Sequence, residues 1–240
     1  MSNPTAAMLV IGDEILSGRT RDANMHFLAC ALTKAGIDLV EVRVVSDDPD
    51  AIVTATRALS GAYTHVFTSG GIGPTHDDIT AENIARAFDR NIGVRADARA
   101  ILQDHYDRSG MELNEARLRM ARIPDGATLI DNPISAAPGF TLENVHVLAG
   151  VPTIFQAMIA SILPSLTGGA PLLSQNLEIH RGEGDIAGPL GQLADKFKDL
   201  SIGSYPFQRN GAFGSNIVIR GHDGAAVDAA MTELAELFTQ

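Results

Sequence analysis

The sequence predicts an α/β protein in which a doubly wound, mostly parallel sheet is followed by a small C-terminal α+β domain. Short apolar runs alternate with segments of helical period. The runs are continuous, which is typical of strands buried on both faces. Residues 164–171 interrupt the pattern with two prolines and two glycines and mark a linker. With 240 residues, 45% of them hydrophobic, the chain can form a sizeable core.

The individual elements follow from local patterns. Ala7–Ile11 is an uninterrupted apolar run and predicts the first buried strand. Asp48 followed by Pro49 is typical of a helix cap and the first helical residue. The other elements of the first domain, residues 1–168, are predicted as helix Asn24–Lys34, strand Leu39–Val45, a helix from Pro49 to Leu59, strand His65–Thr68, a helix through Ala85 and Phe88, helices Asp97–Arg108 and Asn114–Ala121, strands Thr128–Ile130 and Val145–Leu148, and a helix ending at Leu163. The second domain, residues 172–240, is predicted as strand, helix, strand, strand and helix.

The segment from Thr68 to Thr80, TSGGIGPTHDDIT, lies between a predicted strand and a predicted helix. Its three glycines let main-chain N–H groups approach a ligand oxygen closely, and the helix N-terminus favours an anion. We therefore interpret it as a phosphate-binding loop. It is neither a Walker loop nor a dinucleotide fingerprint, since no Lys follows the glycines and their spacing differs. The alternative is that Asp78 or Thr80 only caps the helix.

Acidic residues follow several predicted strands. They are Asp13 and Glu14 after the first strand, Asp47 and Asp48 after the second, and Asp77 and Asp78 in the glycine-rich loop. The carboxyl ends of parallel strands share one edge, where ligands bind, so these residues should meet there with the turn at Gly150–Pro152. Carboxylates beside a phosphate repel it unless a cation intervenes. Asp13, Asp47 and Asp78 are therefore predicted to hold Mg²⁺ or a similar divalent metal, whereas Asp48 is assigned to capping.

Composition limits the partners and the compartment. The net charge of −11 argues against nucleic acid, which requires a clustered basic surface. No apolar run approaches the ~20 residues that span a bilayer, and the N-terminal residues do not read as a signal peptide. The single Cys leaves no disulfide framework, so a cytoplasmic protein is expected. The seven His show no H-x-x-x-H spacing, which disfavours zinc.

Five segments together form a more specific pattern. They are Gly12–Gly18 with Asp22 and Asn24, Val45–Asp47, Ser69–Thr80, Ala136–Gly139 and Gly150–Pro152. In combination, over about 160 residues, they resemble the MoaB/Mog-like molybdopterin-binding domain family in its CinA N-terminal version. The C-terminal domain, through Ser201–Pro206, is similar to the segment that follows this domain in CinA-like proteins and in eukaryotic FAD synthases.

The resemblance implies which residues form the site. Asp47 and Asp78 match the acidic positions of the family and are the candidate catalytic residues. The candidate substrate- and phosphate-binding residues are Ser69, Gly70, Gly71, Gly73, Thr75, Gly150 and Pro152. One departure is that Ile154 stands where CinA proteins usually carry an acid, which puts catalysis in question. The nicotinamide-mononucleotide deamidase domain of full-length CinA has no counterpart in this sequence, so that activity is not expected.

The resemblance also implies the chemistry. The leading hypothesis is a metal-dependent pyrophosphatase acting on a nucleotide diphosphate of the ADP-ribose or FAD type. The alternatives are molybdopterin binding or adenylylation, with molybdopterin as the ligand, and a nucleotide-binding module without turnover. The expected partner is an anionic nucleotide or pterin, without nucleic acid or membrane. The chain is expected to form a homo-oligomer, either a dimer or a trimer.

The C-terminal domain contains an aromatic cluster with a cation, formed by Tyr205, Phe207 and Arg209. Residues two apart share one face of a strand. The two rings could therefore stack on a base or flavin ring, or they could pack against the adjoining helix or a second subunit. The second interpretation is favoured.

Overall fold

The computed structural model describes residues 3–209 and 211–238. The chain forms two compact units, Met1–Gly169 and Ala170–Gln240, and each is described by itself.

The first unit alternates strands and helices. Its strands are β1 (Thr5–Ile11), β2 (Asp38–Val45), β3 (His65–Ser69), β4 (Ile92–Val94), β5 (Arg122–Pro124), β6 (Thr128–Ile130), β7 (Gly139–Leu142) and β8 (Val145–Leu148). Its α-helices are α1 (Asp13–Leu16), α2 (Asn24–Ala35), α3 (Pro49–Ala62), α4 (Thr80–Ala87), α5 (Ala96–Ser109), α6 (Glu115–Leu118) and α7 (Pro152–Ile162). Two short 3₁₀ turns follow α6 and α7, at Arg119–Ala121 and Leu163–Ser165.

Six strands form the central sheet in the order β2-β1-β3-β8-β7-β6. β1 runs parallel to β2 and β3, and β3 runs parallel to β8. β7 is antiparallel to both β8 and β6. The predicted doubly wound, mostly parallel α/β fold is confirmed. The parallel strands β1, β3 and β8 therefore end at one edge of the sheet.

Both faces of the sheet are buried. Along β1, Leu9 and Ile11 belong to one hydrophobic core, which also contains Ile52 and Leu59 of α3 and Leu102 of α5. The intervening β1 residues belong to a second core on the opposite face, with Leu28 and Leu32 of α2 and Phe155 of α7. The helices thus cover both faces, and this explains why β1 is a continuous apolar run.

Several short elements, among them helix α1, differ from the sequence prediction. The sequence prediction missed strand β7 and the antiparallel pair β4–β5. These strands have four residues or fewer, and β7 forms a tight hairpin with β8 in which Glu143 has φ +52. The helix predicted for Asn114–Ala121 is a single turn of α-helix followed by a 3₁₀ turn. Segments this short bury too few residues to show a period in the sequence.

The second unit is a three-stranded antiparallel sheet covered by two helices. Its elements are β9 (Leu173–Ile179), α8 (Glu183–Lys196), β10 (Ser201–Arg209), β11 (Ala212–Gly221) and α9 (Gly224–Phe238), and the strand order is β10-β11-β9. Ile217 and Ile219 of β11 pack with Ile186 and Leu193 of α8 and with Leu234 of α9. The predicted order of elements and the small α+β fold are confirmed.

The two aromatic residues of β10 lie on the face away from these helices. Ile202 and Ser204 of β10 pair with Ile219 and Ile217 and so share the helix-covered face. By strand alternation, Tyr205 and Phe207 point to the other face, and Tyr205 is 49% exposed. The interpretation that they pack against the adjoining helix is therefore wrong. Contact with a second subunit or with a ring-shaped ligand stays a prediction.

The buried His146 and the half-buried His65 form a pair on the α7 side of the sheet. His65 Nδ1 is 3.1 Å from His146 Nε2, and His146 Nδ1 is 2.9 Å from Thr141 Oγ1. His146 is only 3% exposed. Burial, with a smaller contribution from His65, lowers the pKa of His146 to about 3. Burial also lowers the pKa of His65.

This pair should make the protein sensitive to acid. In the unfolded chain His146 has an ordinary pKa near 6.5, so below that pH the unfolded state binds a proton that the folded state excludes until about pH 3. We expect His146 to remove roughly 1.4 kcal/mol of unfolding free energy per pH unit below pH ~6. Urea unfolding between pH 7 and 4 measures this loss of unfolding free energy. His146→Gln should flatten the pH dependence by about one proton, and the exposed His76→Gln control should leave it as in wild type. An unchanged slope in His146→Gln would contradict the assignment.

Candidate functional site

The carboxyl ends of β1, β3 and β8 border one cleft of about 530 Å³. Ile11, Ser69 and Leu148 are the last residues of these strands. Ligands of open parallel sheets bind at this edge. The cleft is lined by Ile11, Gly12, Glu14, Thr20, Asp47, Gly70, Gly71, Ile72, Gly73, Pro74, Asp77, Asp78, Met120, Asn132, Ser135, Ala137, Ala149, Gly150, Val151, Pro152 and Ile154. Most of the predicted site residues are among them.

The glycine-rich loop requires glycine for both conformation and space. Gly70 and Gly71 have φ +110 and +68, which favour glycine. A Cβ on Gly70 would lie 2.3 Å from the Ile11 carbonyl oxygen, and one on Gly71 would lie 2.1 Å from Thr80 Oγ1. Thr80 also donates from its hydroxyl to the Gly70 carbonyl at 2.9 Å. The loop is thus held against β1 and the start of α4.

Asp78 closes the turn that carries the carboxylates. Its Oδ2 accepts hydrogen bonds from the Thr75 backbone N–H at 2.8 Å and from the Thr75 hydroxyl at 2.6 Å. No side chain caps α4, whose N-cap residue is Ile79. The alternative that Asp78 or Thr80 caps this helix is therefore wrong. Asp78 and Thr75 instead stabilise the loop internally, and the roles predicted for them toward a metal and a phosphate stay predictions.

Asp47 is the half-buried carboxylate of the cleft. Its Oδ2 accepts a hydrogen bond from the Asp13 backbone N–H at 2.9 Å, which ties the end of β2 to the start of α1. Burial raises the pKa of Asp47 above its ordinary value, and the neighbouring charges of Asp13, Glu14 and Asp77 raise it further. The Asp13 N–H acts in the opposite direction. Asp48, in contrast, caps α3 by accepting from the Asp50 and Ala51 N–H groups, as predicted.

The other predicted residues occupy three positions. Asp13 is exposed at the start of α1 and reaches the site through its backbone contact with Asp47. Ser69 is buried behind the loop. Gly150 and Pro152 form the turn into α7, and a Cβ on Gly150 would lie 3.2 Å from Gly70 Cα. Ile154 also lines the cleft, so the departure from the family motif is part of the site.

Three contributors to the site were not among the predicted catalytic, binding or metal-ligating residues. Asp77 lines the cleft beside Asp78, and the Thr75 hydroxyl holds its pKa below the ordinary value. Asn132 organises a further loop by accepting from the Ile134 and Ser135 N–H groups. Arg119 lies on the far side of the glycine-rich loop and donates to the Asp78 carbonyl oxygen at 3.4 Å. Asp77 could have been chosen from its place in the loop. The other two follow only from the tertiary structure.

Arg119 is a cation next to the glycine-rich loop that no carboxylate neutralises. Within residues 3–209 and 211–238 it makes no ion pair, whereas nearby Arg122 pairs with Glu82. Its buried Nε also has no hydrogen-bond partner there. The loop therefore has a positive charge behind it and negative charges in front.

Among the described residues, the carboxylates of the cleft do not form a closed cage for a divalent metal. In the described part of the chain no three His, Cys, Asp or Glu side chains converge closely enough to enclose a metal. Mg²⁺ does not require such a cage, because it is commonly held by one or two carboxylates, several waters and substrate phosphates. The surroundings of Asp47 fit this arrangement, since a cation would offset the burial, and the smaller repulsion from neighbouring carboxylates, that raise its pKa.

The fold and the site define a class: an α/β protein with a small-molecule cleft at the carboxyl edge of a parallel sheet, bordered by a glycine-rich loop and carboxylates. Residues 7–168 match the probable molybdopterin binding domain. The chain belongs to this family. Residues 171–240 match the middle domain of FAD synthase. Across the described residues, no helix combines the length and apolar character needed to cross a membrane.

Relatives and solved structures are similar to this chain over different lengths. A protein named probable FAD synthase from Caenorhabditis elegans is 34% identical over 97% of this chain. The chain spans 50% of the length of that relative. A protein from Archaeoglobus fulgidus is 33% identical, over 83% of this chain and 84% of its own length. The crystal structure of a protein titled CinA from Thermoplasma acidophilum covers 69% of this chain and 99% of its own, with a TM-score of 0.63 and 33% identity.

The conformation of the glycine-rich loop leads to a first test. Gly71→Ala places a side chain at φ +68 and against Thr80, so we expect it to cost about 1–3 kcal/mol of unfolding free energy. It should also weaken nucleotide binding by displacing the loop. Gly93→Ala is the matched control, because a Cβ there meets nothing within 4 Å. Denaturant unfolding and calorimetric titration with ADP measure the two effects. Equal behaviour of the two variants would disprove the constraint.

Proposed function

We propose that this protein hydrolyses the pyrophosphate bond of a nucleotide diphosphate of the ADP-ribose or FAD type, with a divalent metal. The observation that carries the proposal is the cleft itself, in which a glycine-rich loop faces a cluster of three carboxylates, those of Asp47, Asp77 and Glu14. Its volume of about 530 Å³ suits a nucleotide, since small-molecule sites run from roughly 300 to 1,000 Å³.

In this proposal the main-chain N–H groups bind the phosphates and the carboxylates bind the metal. Main-chain N–H groups of Gly71 and Gly73 would orient the phosphates, whereas the Gly70 N–H donates to the Leu148 carbonyl oxygen. The N-terminus of α4 would add its positive dipole end. Asp47, with Asp13, Asp78 or the neighbouring Asp77, would hold the metal. A bound Mg²⁺ activates water and neutralises charge on the phosphates. Asp78 would keep Asp77 in place through its hydrogen bonds with Thr75.

The relatives support a nucleotide as the ligand, but they do not identify which nucleotide it is. The matched middle domain belongs, by its name, to FAD synthase, and the C. elegans relative is named a probable FAD synthase. Because this chain spans half of that relative, synthesis of FAD is not transferred to it. What supports the proposal is the combination of both domains with the acidic cleft. We also propose that the protein acts in the cytoplasm and as a homo-oligomer.

One observation favours a second function, a nucleotide- or pterin-binding module without turnover. Ile154 presents an apolar side chain to the cleft at the position where the resembling CinA motif has an acid. If that acid were required for water activation, the cleft would bind its ligand without hydrolysing it. Molybdopterin, as the ligand or as the acceptor in an adenylylation, is the further alternative and would be recognised by a dependence on the pterin.

Turnover can be tested directly. We expect purified protein to release AMP from ADP-ribose or FAD when Mg²⁺, Mn²⁺ or Co²⁺ is added, as followed by chromatography. Asp47→Asn should reduce kcat at least 100-fold while the melting temperature changes little, because it removes a charged ligand and keeps the shape. Asp125→Asn, an exposed turn residue, is the control. Binding of ADP-ribose without release of AMP under every metal would favour the non-catalytic module.

Variants of Asp78 separate its role in the loop structure from a role in the reaction. Asp78→Ala should abolish turnover and lower the free energy of unfolding by only about 1–2 kcal/mol, since the lost hydrogen bonds lie in a loop outside both cores. Asp78→Asn keeps an oxygen acceptor for Thr75. If Asp78→Asn restores the loop but not turnover, the carboxylate charge is required. Full activity in Asp78→Ala would show that neither role matters.

A further inference from the structure

A smaller cavity of about 60 Å³ opens next to the main cleft, between the N-terminus of α2 and the turns at Gly70 and Gly150. Glu14, Thr20, Gly70, Gly150 and Pro152 line both spaces. The cavity is large enough to admit small polar groups of a ligand. It therefore extends the cleft as a subsite.

Asn24, the first residue of α2, is the buried polar group of this subsite and is 3% exposed. Its Nδ2 donates to the Ser69 hydroxyl and to the Gly150 carbonyl oxygen, each at 2.8 Å. A carbonyl oxygen can only accept, so the orientation of the amide is determined. Its Oδ1 is then an acceptor, and this atom has no hydrogen-bond partner in the described part of the chain. Buried acceptors left unpaired are costly and rare, so a partner from a ligand is indicated.

The other groups around the subsite carry both charges. Glu14 and Asp22 contribute carboxylates, Asp22 accepts from the Met25 N–H at 2.8 Å, and Arg21 contributes a guanidinium. The oxygens of an ionised phosphate are acceptors and could not donate to Oδ1. The described residues also lack a group of three acidic or metal-binding side chains that could enclose a cation here. The subsite therefore matches a neutral group that donates hydrogen bonds.

We propose that Asn24 is a specificity-determining residue, and that its Oδ1 accepts a hydrogen bond from a hydroxyl or amino group of the bound nucleotide. This inference rests on the proposed function, in which the phosphates lie at the glycine-rich loop. Phosphates at Gly70 to Gly73 and a donor group at Asn24 then fix the direction of the ligand in the cleft. The donor could belong to the ribose or to the base, and the two sources are separable by experiment.

Calorimetric titration of the wild-type protein with ADP, 2′-deoxy-ADP, 3′-deoxy-ADP and inosine diphosphate tests the inference without any turnover. The first three differ in one ribose hydroxyl, and inosine diphosphate lacks the base amino group. We expect about a tenfold loss of affinity for one analogue, because one hydrogen bond to a buried acceptor is lost. Equal affinities for all four would overturn the subsite and leave the proposed function standing. If none of the four binds, both fail.

Variants of Asn24 separate a role in recognising the nucleotide from a role in holding the turns together. In Asn24→Leu the four nucleotides should bind with equal affinity, because the acceptor is gone. A purely structural role would weaken all four in parallel and preserve the wild-type ratio, which would overturn the proposal. Asn24→Ser is the second variant if the leucine variant does not fold, and it should reduce the ratio in the same direction. Asn91→Ser, at an exposed position, should keep the wild-type ratio.

Discussion

The close approach of three backbone turns at the carboxyl edge of the sheet is the constraint on which the site depends. Gly70 lies against the end of β1, with room for no Cβ beside the Ile11 carbonyl, and Gly150 lies against Gly70. Asn24 joins the last two turns by donating to Ser69 and Gly150. These contacts follow from the parallel pairing of β1, β3 and β8, because that pairing brings three strand ends together. A larger residue at these glycines would separate the strand ends from one another.

Charge is distributed around this edge in a defined way. Carboxylates of Asp47, Asp77 and Glu14 face the cleft, while Arg119 lies behind the glycine-rich loop. The pKa of Asp47 is raised because desolvation, and to a smaller extent the like charges nearby, disfavour its ionised form. A cation in the cleft would lower that cost. This charge distribution supports the proposal of a metal-bound phosphate ligand rather than an anion alone.

The two domains contribute different surfaces to the function we propose. The first carries the cleft, and the second carries an antiparallel sheet with helices on one face and Tyr205 on the other. On that open face Arg209 pairs with Glu178 and lies over the Phe207 ring, at 5.2 Å from its centre. Arg220 lies 3.3 Å from the Tyr205 hydroxyl. The aromatic residues are thus part of a local network, which reduces how much of each ring is free for a ligand.

The sequence by itself determined the fold class, the order of the long elements and the segments that border the site. Continuous apolar runs identify strands such as β1 because both faces of a parallel sheet are buried, and the capping role of Asp48 follows from local chemistry. Only the tertiary structure decided the partners. It joined Asp78 to Thr75 instead of α4, placed Arg119 behind the loop, and left Oδ1 of Asn24 buried without a donor among the described residues. It also turned Tyr205 and Phe207 away from the helices. The Asp78–Thr75 contact is local, since it joins residues three positions apart. The contacts of Arg119 and Asn24 join distant residues, up to 126 positions apart for Asn24 and Gly150, and no local pattern records them.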